Sequence, residues 1–367
     1  MRRLRPEIWI CQGSEIQSGH PLSMIYAGWD QQYRNYLVAL AFGDAAEQKF
    51  MGRRWVWRIS GFAETMASQS ALLVMESDSC TDLVFHSRRT IKMPRWVESF
   101  LDTSKPAEMV FPKKAFKEMK RVIGKNSYEY EVARDGNRFH DFYSNMYLPY
   151  IQGRFGDTAY VLSKRWYETL IRHSELLLVT TKTAVVAGVL IEYSKNEAHL
   201  GYIGYKDGSE KHMKDGALNA ILYFSVKHLN ERGYRRVSLG PSKSFLKDGR
   251  LKFKMLRGAS ISDKIFAPDE NISLQVMKHT PGLRQFFIHN PFVFYPENRI
   301  RHAAFFTEAG TDMSYEDIEQ MFAPYRSYQG IDMWHLFTFG KRKRERLSFP
   351  SPINRTVTIS SAQKFFS

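Results

Sequence analysis

Between residues 233 and 259 the chain gathers side chains that could do chemistry: Ser242, Lys243, Ser244, Lys247 and Asp248, then Lys252, Lys254 and Arg257 before Gly258. Residues 234–239 read as a strand, and Gly240-Pro241 as its end, because proline lacks the donor that a ladder needs. Hydroxyls and ammonium groups at a strand end suit an anionic ligand or a charge that develops during group transfer; most such loops are solvated turns. A second cluster is the turn 206–216, with Lys206, Lys211, Lys214 and Gly216, placed just before a helix. Free backbone N–H groups and the helix dipole attract phosphate there, and a solvated turn is the even alternative. His199 and Tyr202 are the candidate proton acceptors, although a histidine or tyrosine on a strand is more often packed than catalytic. No metal-ligand spacing, Gly-x-Ser-x-Gly elbow or phosphate-binding loop is present.

The elements that must position these groups follow from periodicity. Residues 128–133 alternate as a strand with one wet face, and helical stretches follow at 137–151 and 162–173. Three strands come next, at 176–180, 184–193 and 198–205, joined by the polar links Thr181-Lys-Thr183 and Ser194-Lys-Asn-Glu197. Links this short make antiparallel neighbours. In 217–232 the apolar residues Leu218, Ile221, Leu222, Val226 and Leu229 form one helical stripe, with Asp215 as the expected N-cap and Gly233 as the stop. Strand 198–205, this helix and strand 234–239 then form a β-α-β crossover, which makes the two strands parallel.

The N-terminal part is harder to read. Strands are expected at 55–59, 71–75 and 83–85, and helices at 94–101 and 112–123, the second stopping at Gly124. Trp55, Trp57 and Trp96 are core anchors or a ligand surface. Past residue 267 come helical signals at 283–288 and 315–322 and a strand at 331–339. Residues 341–346 carry five basic side chains in six, and a Ser, Thr and Pro-rich end follows. The expected division is an α/β unit at 1–127, a mixed-sheet domain at 128–266, a C-terminal α/β unit at 267–340 and a basic flexible tail at 341–367.

With 367 residues the chain has room for two or three cores, and 43% hydrophobic and 14% aromatic residues make it globular. Its net charge of +15 suits polyanions, anionic lipid surfaces or phosphorylated molecules. Cys11 and Cys80 are the only cysteines, which excludes a disulfide scaffold or a cysteine-based metal cluster. The longest apolar run, 184–191, is far short of the roughly 20 residues of a membrane span, so a soluble cytoplasmic protein is expected.

The β-α-α-β-β-β-α-β order resembles the GNAT fold, an α/β (α+β) architecture whose mixed, mostly antiparallel sheet lets two parallel strands splay around the acyl group. The segment from Gly240 to Ala259 is similar to the FemAB-type branch of that superfamily: strand, Gly, a Ser-containing loop ending Asp248-Gly249, then Phe253-Lys254 and Gly258-Ala259, with Arg257 where an aromatic is common. The resemblance covers 128–266. It implies an N-acyltransferase, in a bacterial cell, moving an acyl or aminoacyl group from acyl-CoA (acetyl-CoA) or aminoacyl-tRNA to an amine, possible acceptors including a cell-envelope precursor. It implies no metal cofactor, and possible contacts with tRNA and, peripherally, a membrane surface. It makes Lys254, rather than Lys252, the group that stabilises an oxyanion or holds a phosphate, with His199 and Tyr202 beside it. Donor and acceptor contacts are expected from Tyr205, Lys206, Lys214, Gly216, Gly240, Ser242, Ser244, Asp248 and Arg257. Met213 and Leu218 around Gly216 depart from the usual CoA-binding turn. The competing classes are a non-catalytic nucleic-acid or anionic-surface binding protein on the same fold and a polyamine or antibiotic N-acetyltransferase. As a lysine on a short surface helix, Lys254 is expected to contribute little to stability.

Overall fold

The computed structural model describes residues 4–84, 90–156, 161–264, 266–295, 301–308, 313–340, 345–349 and 355–362. The chain divides into two compact units. The first comprises Met1–Val97, Pro241–Lys252 and Ile261–Ser367, the second Glu98–Gly240 and Phe253–Ser260. This interleaving replaces the four consecutive segments expected from the sequence: the N- and C-terminal parts share one unit.

In the first unit a six-stranded sheet has the order Glu47–Arg53, Glu7–Ser14, Pro21–Gly28, Leu72–Ser77, Asn271–Val276, Thr90–Pro94. Its strands are antiparallel except Pro21–Gly28 with Leu72–Ser77. The helix Gln31–Phe42 begins at Asp30, whose carboxylate accepts from the N–H groups of Gln32 and Tyr33, and it buries Tyr33, Leu37 and Phe42. A five-stranded sheet runs Phe292–Phe294, His302–Thr307, Met333–Thr338, Arg355–Ser361, Glu345–Phe349. The apolar core gathers Met24, Leu72, Leu274, Phe287, Phe292 and Phe306.

Several expectations fail here for identifiable reasons. Residues 94–101 are strand rather than helix: Trp96–Asp102 alternates half-buried and buried side chains, a period of two that the flanking proline disguised. Residues 55–59 form the turn of 3-10 helix Val56–Arg58 and the start of helix Ile59–Met66, whose buried face is Ile59 and Ala63. Leu83 and Val84 end the helix Ser79–Val84, and Phe85 lies outside the described residues. The expected flexible tail contributes two strands, because Thr356-Val-Thr-Ile359 alternates and buries Val357 and Ile359 completely. Most of its basic run lies outside the described residues. No helix among the described residues is long and apolar enough to cross a membrane.

The second unit carries the seven-stranded sheet with the order Ser260–Ile261, Trp96–Asp102, Arg236–Lys243, Glu197–Tyr205, Val185–Tyr193, Ser174–Thr180, Glu129–Ala133. The strands from Ser174 to Tyr205 are antiparallel neighbours, as their short links require, and Glu129–Ala133 pairs antiparallel with Ser174–Thr180 from across an intervening helical stretch. The crossover helix Ala217–Glu231 buries Ile221, Leu222, Val226 and Leu229. Its N-cap is Gly216, at φ 82°, and not Asp215, which ends the preceding helix Glu210–Lys214. A side chain at Gly216 would meet Val122 Cγ1 at 2.6 Å. Val122 belongs to the helix Lys113–Asn126, which passes through Gly124 and stops at Ser127, at φ 51°. One interior glycine costs a helix only about 1 kcal/mol, so it need not end there.

Candidate functional site

The strand after the crossover runs from Arg236 to Lys243 and so does not stop at Gly240-Pro241. What changes is its pairing. Its parallel ladder with Glu197–Tyr205 consists of Glu197↔Arg236, Ala198↔Val237 and His199↔Ser238, and ends there. On its other side Glu197–Tyr205 bulges: Leu200 faces Ile191, but Ile203 faces Val189, so one extra residue is inserted. Within the second unit the two parallel strands thus part at His199 and Ser238, and the backbone groups of the following residues that point toward the departed strand get no ladder partner from it.

Three side chains fix the geometry at this point. His199 is in register with Glu192 on the antiparallel neighbour, and its Nδ1 lies 3.4 Å from Glu192 Oε1. A carboxylate at Nδ1 favours the tautomer that carries its proton there and leaves Nε2 as an acceptor. That Nε2 faces Gly240, since a side chain there would have its Cβ 3.2 Å from it. Gly240 has φ 73°, a left-handed conformation that only glycine adopts at little cost. Its peptide groups are held on both sides: its N–H donates to Ser238 Oγ at 3.1 Å, and its carbonyl accepts from Lys254 Nζ at 2.7 Å. Ser238 Oγ in turn donates to Glu98 Oε1 at 2.6 Å. Lys254 is buried, with 8% of its surface exposed, so it is no solvated surface lysine. Lys252 is exposed.

The other sequence-derived residues fall elsewhere. Tyr205 is 1% exposed and packs edge-on against Tyr150 with ring centroids 4.8 Å apart; Tyr202 packs edge-on against Tyr147 at 5.5 Å. Both pack against ring neighbours, and Tyr205 in particular is a core residue and not a wall of the opening. Ser242, Ser244 and Asp248 belong to the first unit. Ser242 and Ser244 are fully buried there, Ser244 Oγ donates to the Pro94 carbonyl, and Asp248 caps the helix Gly249–Met255 by accepting from Leu251 N at 2.9 Å. In the turn before the crossover helix, Lys214 pairs with Glu210 at 2.9 Å and Lys211 with Asp215 at 2.7 Å, while Lys206 lies 4.0 Å from Asp207. These carboxylates offset the charge that the sequence offered to an anion.

Arg257 stands closer to the helix start. Its guanidinium lies 3.5 Å over the Phe253 ring and donates to Asn219 Oδ1 at 2.8 Å, in the first turn of Ala217–Glu231. Burial pulls its pKa down to about 10, against the opposing pull of Glu118. A half-buried cation beside a helix N-terminus is where an anion is well received.

Glu192, Glu98 and Ser238 were not singled out in the sequence. Glu192 was legible, since the four-residue turn 194–197 between the two strands sets the register that places it opposite His199. Nothing local marks Glu98, which reaches Ser238 from a strand read as helix.

No family model and no curated protein matches the sequence. Among solved structures the chain is similar to FemX, at 12% identity and a TM-score of 0.38, over 72% of this chain and 83% of that one. It is similar to L-PGS from Bacillus licheniformis at 11% identity and a TM-score of 0.33, over 71% and 79%. A GCN5-related N-acetyltransferase from Sphaerobacter thermophilus follows at 12% and 0.31, over 71% and 78%.

Proposed function

We propose that the second unit is an N-acyltransferase domain, which moves an acyl or aminoacyl group from a thioester or aminoacyl-tRNA donor to an amine. The observation that carries this reading is the parting of the parallel strands at His199 and Ser238, with a carboxylate-backed imidazole at its mouth. A planar acyl group suits such an opening, because the unpaired strand edge offers backbone N–H donors to its carbonyl oxygen. The acceptor amine attacks the carbonyl carbon, and His199 Nε2 takes the proton released as the C–N bond forms. The carbon–oxygen or carbon–sulfur bond of the donor then breaks, and the leaving alkoxide or thiolate takes up a proton. Lys254 acts through Gly240: its ammonium fixes the carbonyl at the point of divergence and supplies a fixed positive charge near the developing oxyanion. Arg257 and the helix N-terminus at Ala217 receive the phosphate of the donor. The acceptor is an amine of a cell-envelope precursor or of a small molecule.

The test is direct. Purified protein is incubated with a panel of acyl-CoA thioesters or with aminoacyl-tRNA and a panel of amines, and products are read by mass spectrometry for the mass of the transferred group. Amide formation that disappears in His199→Gln supports the reading. If no donor is consumed, and the chain binds nucleic acid or anionic vesicles with an affinity that collapses uniformly with salt, the net charge of +15 serves binding alone.

A further inference from the structure

Lys243 follows the strand break and takes no part in the site above; it belongs to the first unit. Its Nζ lies 3.7 Å from the ring centroid of Trp96 and 4.2 Å from that of Tyr33, with Tyr36 at 5.7 Å. Among the described residues it has neither an ion pair nor a hydrogen bond, only these aromatic neighbours. Two of the neighbouring rings carry hydroxyls in the same condition. Tyr33 is wholly buried, and the hydroxyls of Tyr33 and Tyr36 are shut off from solvent without a hydrogen-bond partner. Arg95, whose guanidinium is 5.2 Å from the Tyr33 centroid and 5.5 Å from that of Trp96, also has a buried Nε without a partner.

Every one of these groups is a donor. An ammonium has three N–H bonds to give, each phenol one and the guanidinium Nε one, and a buried donor without an acceptor costs about 1–3 kcal/mol. Three such groups, the Tyr33 and Tyr36 hydroxyls and Arg95 Nε, beside the half-buried Lys243 ammonium are not explained by packing. The carboxylates nearby are already engaged: Asp30 caps the helix Gln31–Phe42 and pairs with Arg95, and Asp248 caps Gly249–Met255. Glu76 and Glu270 lie 3.9 and 3.7 Å from Arg95, on its NH1 and not its Nε.

We propose that Lys243, Arg95, Tyr33 and Tyr36 form a binding site in the first unit for an anionic oxygen group, a carboxylate or a phosphate, walled by Trp96. The site is independent of the acyl-transfer reading, and no residue of it enters that mechanism. The electrostatics agree with an uncompensated charge. Burial, helped by Arg95 and Arg250 and opposed by Asp30 and Asp248, pulls the Lys243 pKa down to about 7. A bound anion reverses that, so it binds the protonated lysine and takes up a proton near neutral pH.

The experiment is calorimetric and thermal-shift titration of the full chain with inorganic phosphate and, separately, acetate, at constant ionic strength made up with sodium chloride. Saturable binding of either, weakening as pH rises from 6 to 8.5, is expected, and which of the two binds identifies the group. Lys243→Met should weaken it by about 10- to 100-fold, the span of one hydrogen bond to a charged group, and Tyr33→Phe by less. Should Lys243→Met fail to fold, the wild-type protein still decides: titration at pH 7.5 in two buffers of different ionisation enthalpy must show proton uptake. No saturable binding of either anion, binding without proton uptake, or unchanged affinity in a folded Lys243→Met variant overturns the proposal.

Discussion

Lys254 Nζ donates a 2.7 Å hydrogen bond to the carbonyl of Gly240, the residue at which the strand turns left-handed beside the parting of the sheet. The contact joins the short segment 253–260 to the end of the crossover strand within one unit. Because the ammonium is buried, the sequence-based expectation that Lys254 serves transfer but adds little to stability gives way to one in which it carries structural as well as electrostatic weight.

Lys254→Ala should therefore cost stability as well as transfer. It leaves the Gly240 carbonyl without this donor, worth about 1–3 kcal/mol for a buried group. Lys252→Ala, on the exposed side of the same segment, should stay within about 0.5 kcal/mol of wild type. Urea unfolding of the two variants separates them, and equal midpoints would remove Lys254 from this role.

His199→Gln should reduce acyl transfer by about 100- to 10,000-fold, the usual contribution of a positioned general base. Glu192→Gln keeps the shape of its partner and removes the charge at Nδ1, so its loss should be smaller than that of His199→Gln. Initial rates with one donor and acceptor pair measure both, and full activity in His199→Gln would assign proton removal to another group.

Gly240→Ala tests the conformation itself. A left-handed φ costs an L residue about 1–2 kcal/mol, and the new methyl would press on His199 Nε2. Stability and transfer should fall together, whereas replacing the exposed Gly249, which has open space around it, should be far milder.

Glu175 gives the second unit an acid-sensitive anchor. It accepts hydrogen bonds from Tyr193 and Arg134, Arg232 donates to it at 2.6 Å and His228 Nε2 lies 3.0 Å away. Burial pushes its pKa up, but hydrogen bonds from Tyr193, His228 and Arg134 and the charge of Arg232 outweigh it and bring the group down to about 2. A carboxylate with a folded-state pKa below its unfolded value stabilises the fold above the unfolded value, 4.5, and loses that contribution as pH falls toward 2. Denaturant midpoints should drop between pH 5 and 3 in the wild type, and less steeply in Glu175→Gln, which starts lower.

What the sequence made legible was the part of the fold built from local rules. Strands joined by three- or four-residue polar links had to be antiparallel, and a helical stripe between two strands had to make a crossover. Two short links thus sufficed for three neighbouring strands of one sheet. The failures lie where the pattern was short or the partner distant. Residues 96–102 alternate over only one strand length after a proline. Asp215 has the right chemistry for a cap but is held by Lys211, so the turn closes on Gly216 instead. Position 243 carries a lysine among many, and only the fold brings it against rings from residues 33, 36 and 96. Ser242 and Ser244 look like ligand-binding hydroxyls in one dimension, yet both are fully buried.

The C-terminal strand offers the clearest test of the first unit. Arg355–Ser361 lies between Met333–Thr338, with which it is parallel, and Glu345–Phe349, with which it is antiparallel. Val357 and Ile359 face Trp334 and Leu336 across the ladder and are completely buried, as is Ala362 just beyond. Burying one such branched side chain stabilises a fold by about 1.5–3 kcal/mol, and removing the strand also strips backbone partners from Met333–Thr338. A chain ending at residue 340 should therefore melt many degrees lower than the full chain, or be recovered only as aggregate, since it would expose a new apolar sheet edge. Val357→Ala with Ile359→Ala should reproduce most of the loss without shortening the chain. A truncated protein that melts at the wild-type temperature would mean that these strands are not docked on the sheet in solution.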